Sequence, residues 1–346
     1  MGLWLVRSGR YGEHEQRFLS ENRLFLTWQG LNENLSKVGD KRNLLALLQR
    51  RYPTFSAAKL RNHAAQLWSF VNRMKPGDVV VVPSKVKPAI HIGELVGGYE
   101  FAATAPDPYF HSRKVKWLKK DLPRSVFSQD LLYSFGAIMT ICEVKRNDAE
   151  ERVRAIAYGK DPSERSSPAE AEVTDSEPDS GEIADLEEFA RDQIAKHIVQ
   201  RFKGHALERL VEAILRAQGY TTYHSPTGPD KGIDLLAAPG PLGFGSPRIC
   251  VQVKSGDSPT DSATLNQLIG AMQNVHAEQG LLVSWGGFRS SVDKEVPTQF
   301  FRVRLWDQHE LIRQLMEHYD RLDEDFRAEL PLKRIWALSV AEESEE

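Results

Sequence analysis

The sequence predicts an α/β protein of two domains, and three observations carry that prediction. Its 346 residues exceed the roughly 100–200 residues of a single domain. One segment near the middle is too acidic and too poor in apolar residues to fold. On either side of it, helical spacing alternates with strand spacing, as in strands connected by helices. The hydrophobic share of 41% is enough for two cores.

Residues 2–7, GLWLVR, read as a short strand. Leu44, Leu45, Leu47 and Leu48 recur at helical spacing within residues 41–51; Leu60, Ala64, Leu67, Trp68 and Val71 do so within residues 57–74. A Pro-Gly-Asp turn then leads into VVVV, residues 79–82, a buried strand. Residues 89–101 form the next strand, with a kink expected at Gly97 and Gly98. Residues 111–118 form another, with Val115 and Trp117 on one face. Short strands joined by helices suggest a small mixed α+β barrel for residues 1–160.

Residues 161–188 hold three prolines, six serines or threonines and almost no large apolar side chain. Such a segment cannot bury enough surface to offset its ordering entropy, so a disordered linker is expected. The same division reinterprets the net charge of −3, which at first argues against a polyanionic partner. Residues 1–160 carry +11, residues 161–190 carry −10 and residues 191–346 carry −4. A basic first half suits a polyanion. The acidic stretch is expected to act as a solvated spacer, although its charge could also occupy the basic surface.

After the linker, Leu207, Leu210, Val211, Ile214 and Leu215 mark a helix over residues 203–218, stopped by Gly219. Its polar flank carries Glu208, Arg209 and Glu212. Residues 233–237 read as a short buried strand, and the Gly/Pro-rich residues 239–247 as a hairpin tip. Residues 249–254 alternate: Ile249, Val251 and Val253 face one way, Cys250, Gln252 and Lys254 the other. A helix with Leu265, Leu268, Ile269 and Met272, a strand over residues 280–284, a segment from Arg289, a strand over residues 302–306 and a helix over residues 307–319 complete the domain, residues 189–325. This order implies an α/β sheet, parallel in its later part. Residues 326–346 are a tail, and the terminal AEESEE is expected to fray.

Cys142 and Cys250 are the two cysteines, too few for a disulfide framework or a four-cysteine zinc site. The opening MGLWLVRSGR lacks the apolar stretch of a signal peptide, and no window approaches the 18 or so apolar residues of a membrane span. A reducing, cytoplasmic location is expected.

The segments HALERLVEAILRAQGY, TGPDKGIDLLA, CVQVKSG and LLVSWGGF resemble the catalytic domain of Mrr-type restriction endonucleases, members of the PD-(D/E)xK nuclease superfamily. The resemblance covers roughly residues 195–320 and implies a three-layer α/β nuclease that hydrolyses phosphodiester bonds with Mg²⁺, for which Mn²⁺ can substitute. Phosphodiester hydrolysis needs an activated water and neutralised phosphate charge, which a hard cation with oxygen ligands supplies. Asp234 matches the family's metal-binding Asp, after a glycine-rich turn that lets the backbone approach a polyanion. Gln252 and Lys254 lie two apart on one strand face. Gln252 would offer its amide oxygen to the metal and the Val253 carbonyl would add a ligand; Lys254 would orient or deprotonate water, or stabilise the pentavalent phosphate. Glu208 matches the helix Glu that many members place beside the metal. Most relatives carry Asp or Glu where this chain has Gln252. Mrr-like members commonly have Gln, which removes a negative charge and favours a single metal. Asp230 reads as a turn residue, His205 as structural, and Ser284 and Phe288 as edge residues.

In the first half, GLWLV, KPGDVVVVPS, IHIGELVGGY and RKVKW resemble the PUA-like superfamily, which includes EVE and YTH domains, over about residues 1–120. That resemblance implies a pocket for a modified base flipped from its stack. Such a pocket needs an aromatic face, polar groups for the base edge and cations for the backbone. The candidates are Trp4, Trp28, Ser84, Lys85, Arg113 and Trp117, with Lys114, Lys116, Lys119 and Lys120 as a basic run along phosphates.

Together these readings lead to a modification-dependent restriction endonuclease acting on double-stranded DNA that carries a modified base, a 5-substituted cytosine. It would work as a homodimer or higher homo-oligomer, because cutting both strands needs two sites, and without a membrane. Two alternatives remain: a nuclease triggered by a nucleotide signal or RNA bound in the N-terminal domain, and a DNA-binding protein that no longer cuts.

Overall fold

The computed structural model describes residues 1–159, 185–226 and 232–336. They fall into two compact units, Met1–Phe189 and Ala190–Glu346. The expectations for residues 161–184, for the terminal AEESEE and for Asp230 lie outside the described residues. Among those residues no helix is long and apolar enough to cross a membrane.

In chain order the first unit contains β1 (Leu3–Val6), α1 (Glu15–Glu21), β2 (Arg23–Leu26), α2 (Lys41–Arg51), α3 (Ala57–Trp68), β3 (Val79–Pro83), β4 (Ala89–Phe101), β5 (His111–Pro123), α4 (Gln129–Phe135), β6 (Ile141–Val144) and α5 (Ala149–Ala157). Its strands form one six-stranded mixed sheet in the order β2-β5-β4-β3-β1-β6. β1 runs parallel to β3 and antiparallel to β6. The central strands are buried on both faces, which explains the unbroken VVVV. Trp4, Val6, Val80 and Val82 pack under α1, α2 and α3. Leu3, Leu5, Val79 and Val81 pack under α4 and α5. Such two-sided burial makes a layered α+β unit, and no ladder among the described residues joins β2 to β6. The register shift between Leu95 and Tyr99 falls at the predicted Gly97-Gly98 kink. Asp40 and Ser56 cap α2 and α3, each accepting a backbone N–H from the first turn.

α6 (Leu186–Arg201) starts in the first unit and continues into the second. There follow α7 (His205–Ala217), β7 (Tyr220–His224), β8 (Leu235–Pro239), β9 (Ile249–Lys254), α8 (Ser262–Asn274), β10 (Gln279–Ser284), α9 (Ser290–Gln299), β11 (Val303–Asp307), α10 (Gln308–His318) and α11 (Glu324–Glu329). The sheet order is β11-β10-β9-β8-β7, parallel from β9 to β11 and antiparallel between β7, β8 and β9. Val251, Val253, Leu281 and Val283 pack against α6, α7 and α10. Cys250 and Leu282 pack against α8 and α9 on the opposite face. The result is three layers, as expected for this half.

The linker expectation needs one correction. Its last four residues, 185–188, are ordered: Asp185 donates its backbone N–H to Gly136 O, and Leu186 opens α6. Glu188 is largely buried, with its side chain 13% exposed. Basic side chains of the first unit hold this acidic end, the alternative to a solvated spacer that the charge distribution allows.

Candidate active site

Asp234 lies just before β8 and joins the start of that strand to β9. Its backbone N–H donates to Val251 O at 3.0 Å, and its carboxylate Oδ2 accepts from Val253 N at 2.5 Å. The acid therefore spans Gln252 along the strand. The expected strand over residues 233–237 begins two residues later, at Leu235, because Ile233 and Asp234 form the approach to the sheet.

Gln252 is 1% exposed, and among the described residues its Oε1 meets no hydrogen-bond donor. A buried amide oxygen without a donor costs about 1–3 kcal/mol, so it calls for a ligand or a compensating gain. Gly232 makes room for this amide. It has φ +81°, and a Cβ there would lie 3.3 Å from Gln252 Nε2. Lys254 ends β9 with its side chain exposed. One strand thus offers a buried acceptor and an exposed cation two residues apart, beside a fixed carboxylate. An unsatisfied carbonyl-type oxygen next to a carboxylate fits a hard divalent cation. Among the described residues no group of three or more His, Cys, Asp and Glu side chains is arranged to hold a metal. A site here would therefore draw on the amide of Gln252 and on backbone oxygen as well as on Asp234. The adjacent Cys250 thiol is pushed up to about 12 by burial and by the charge of Asp234, so it stays protonated.

Glu208, on the first turn of α7, is engaged by two histidines. His205 Nδ1 lies 2.8 Å from Oε1, and His224 Nε2 lies 3.0 Å from Oε2. His224 also reaches Glu212 Oε2 at 3.2 Å, and Glu212 holds Arg216 and Thr222. Sequence reading missed His224; its only signal was a place at the end of β7, opposite Leu235 at the start of β8. Ser284 is fully buried and bonded to Thr260 and Gly287 O, so it supports the end of β10.

The six residues predicted to read a base do not form one site. Trp4 is buried and donates from Nε1 to Asp78 Oδ2 at 3.0 Å. Trp28 is buried and donates to His63 Nδ1 at 3.0 Å. Arg113 is 2% exposed and donates to Phe70 O and Val71 O. Burial lowers its guanidinium to about 10. These three belong to the core, where neither ring has a free face and the cation has no free fork. Ser84 is buried, donates to Glu15 Oε1 at 3.0 Å and accepts from Val86 N and Lys87 N. Trp117 is half-buried, with no partner for its Nε1 among the described residues; it meets the buried His91 edge-on at 6.1 Å. His91 in turn lies 3.3 Å from Glu15 Oε1, and Glu15 Oε2 is buried without a partner among the described residues. Sequence reading did not select Glu15 or His91, because one acid on a short helix and one histidine in a strand resemble ordinary residues. Lys85 contacts Asp185 and Glu188.

Two family matches cover the two units. Residues 199–315 match the Mrr catalytic family, described as a restriction endonuclease. Residues 4–144 match DUF8426, a domain of unknown function. No curated protein matches the chain. Among solved structures, the chain is similar to the DNA modification-dependent restriction endonuclease AspBHI. The two share 15% identity and a TM-score of 0.33, over 95% of this chain and 84% of that one. It is also similar to the MspJI restriction endonuclease in complex with a 27-mer oligonucleotide, at 16% identity and a TM-score of 0.30, over 96% and 80%. The family match, on a three-layer unit whose β9 carries Gln252 and Lys254 beside Asp234, identifies the C-terminal part of this chain as an Mrr-type restriction endonuclease domain, a nuclease acting on DNA.

Proposed function

We propose that the chain is a modification-dependent DNA endonuclease. In this reading the first unit binds DNA carrying a modified base, a 5-substituted cytosine, and the second cuts the DNA nearby. The observation that carries the nuclease half is the buried Gln252, whose Oε1 has no donor among the described residues, on the strand that also holds the Asp234 carboxylate through Val253 N and ends in the exposed Lys254. Asp234, Gln252 and the Val253 carbonyl would hold Mg²⁺. When bound, the ion polarises the phosphate and lowers the pKa of a coordinated water. Lys254 neutralises charge that grows on the phosphate oxygens or takes the water proton at Nζ. Glu208, held by His205 and His224, supplies negative charge at the α7 side.

The reader reading is supported by the +11 charge of residues 1–160 and by Glu15, Ser84, His91 and Trp117. That group combines an unpartnered acceptor with an unpartnered indole donor, which suits the polar edge of a base. It takes the place of Trp4, Trp28 and Arg113 in the proposed pocket. Cutting both strands calls for two copies of the chain.

The purified full chain with Mg²⁺ should cleave duplex DNA containing a 5-substituted cytosine and spare the same unmodified sequence. Asp234→Ala and Lys254→Ala should abolish cutting while DNA binding persists. Normal cutting by either variant would refute the site assignment, and equal cutting of both duplexes would refute the reader.

A further inference from the structure

Three cations of the first unit surround one carboxylate. Glu188 Oε1 lies 2.7 Å from Arg124 Nη1, and Oε2 lies 2.6 Å from Lys85 Nζ. Arg7 Nη1 is farther away, 3.8 Å from Oε2. The side chains of Arg7 and Arg124 are 10% and 8% exposed, so the charges are concentrated where water screens them little. Arg7 is fixed by its own bonds. Nε and Nη2 donate to Ala137 O, and Nη2 also to Phe135 O. Its remaining Nη1 is buried and has no hydrogen-bond partner among the described residues.

The two oxygens of Glu188 are held at hydrogen-bond distance by Lys85 and Arg124, while Arg7 Nη1 faces the same carboxylate from 3.8 Å, beyond hydrogen-bond distance. A tetrahedral oxyanion presents more oxygens and can engage all three, which is why arginine clusters suit phosphate. Asp185 Oδ2 adds a second acid at Lys85, 3.0 Å from Nζ. Burial raises the Glu188 carboxyl, but Arg124, Lys85 and Arg7 outweigh it and hold the group below its usual value, so it remains ionised at neutral pH.

We propose that Arg7, Lys85 and Arg124 form a phosphate site for the DNA backbone, and that Glu188 occupies it until DNA displaces it. This rests on the reading of the first unit as the DNA-binding half. It links two otherwise separate observations: the basic half and the acidic segment that follows it. Glu188 lies on the first turn of α6, so arrival of a phosphate releases the start of the helix that continues into the nuclease unit.

The test uses the full chain without divalent metal, an unmodified duplex titrated over a range of salt concentrations, and inorganic phosphate as a separate probe. Glu188→Gln should tighten duplex binding by up to about tenfold and steepen the salt dependence by about one phosphate contact. Adding Lys85→Ala to that variant should cancel the gain. Asp185→Asn keeps the acceptor for Glu188 N and should give a smaller gain; it serves if Glu188→Gln does not fold. Inorganic phosphate should raise the melting temperature of Glu188→Gln more than that of the double variant. A gain for phosphate without one for duplex would assign the site to free phosphate and refute the DNA role. Unchanged duplex affinity and salt slope in Glu188→Gln and Asp185→Asn, with no phosphate effect, would overturn the site entirely. If no duplex binds, the reader reading itself fails, and the melting experiment still decides the site.

Discussion

The two units give opposite fates to residues selected for function by type. In the second unit, Gln252 and Lys254 came from the family resemblance together with strand alternation, and the fold sets them on β9, next to the strand that Asp234 precedes. In the first unit, Trp4, Trp28 and Arg113 were chosen as aromatic and basic, and the fold places them in the core. The difference lies in the kind of argument. Period-two spacing fixes direction relative to neighbours. An indole suits a core packed under a helix as well as a cage around a base.

That contrast predicts opposite responses to substitution. The largest effect should be on stability in the first unit. Trp4→Ala removes a buried indole and leaves Asp78 with one donor fewer, so it should cost about 3–5 kcal/mol, read as a large drop in melting temperature. Trp28→Ala should behave alike. A Trp28→Ala chain that melts normally yet loses discrimination for modified DNA would break the comparison.

Next in size, Lys254→Ala should lower the cleavage rate by about a hundredfold or more. Its melting temperature should hardly change, because the side chain is exposed. Gln252→Glu sharpens the contrast from the other side. It restores an acid at the buried position, so half-maximal cleavage should need less Mg²⁺.

The smallest effect should be a pH dependence confined to the first unit. Burial, with the Lys59 charge, lowers His63 from 6.5 to about 4. The unfolded chain therefore binds this proton at a higher pH than the folded one. The His63 contribution to stability should be complete above about pH 6.5 and decline as pH falls toward 4. His63→Gln should flatten that part of a melting-temperature profile.

These results also explain how much the sequence reveals. β4 and α2 were readable to the residue, β4 from an apolar run with a Gly-Gly kink and α2 from leucines at helical spacing. α1, β2, α4, β6 and α5 were not, being short elements stabilised mainly by burial on the sheet. In the site, Asp234 came from the family resemblance, and strand alternation added only that Gln252 and Lys254 share one face of β9. His224, Glu15 and His91 followed from neither, because their partners lie on other elements. Asp78, which ties the Gly2 N–H and the Trp4 indole to the turn before β3, was equally invisible.

The position of β1 has a consequence for how the chain is made. This strand holds the first regular residues of the unit, yet it lies between β3 and β6, pairing Leu3 with both Val79 and Val144. During synthesis β1 emerges long before either neighbour. Its apolar side chains, buried on both faces of the sheet, must wait for strands encoded far downstream, and pairings at such separation close slowly. The sheet of the first unit can be completed only once β6 has left the ribosome, so its folding is a late event on the nascent chain.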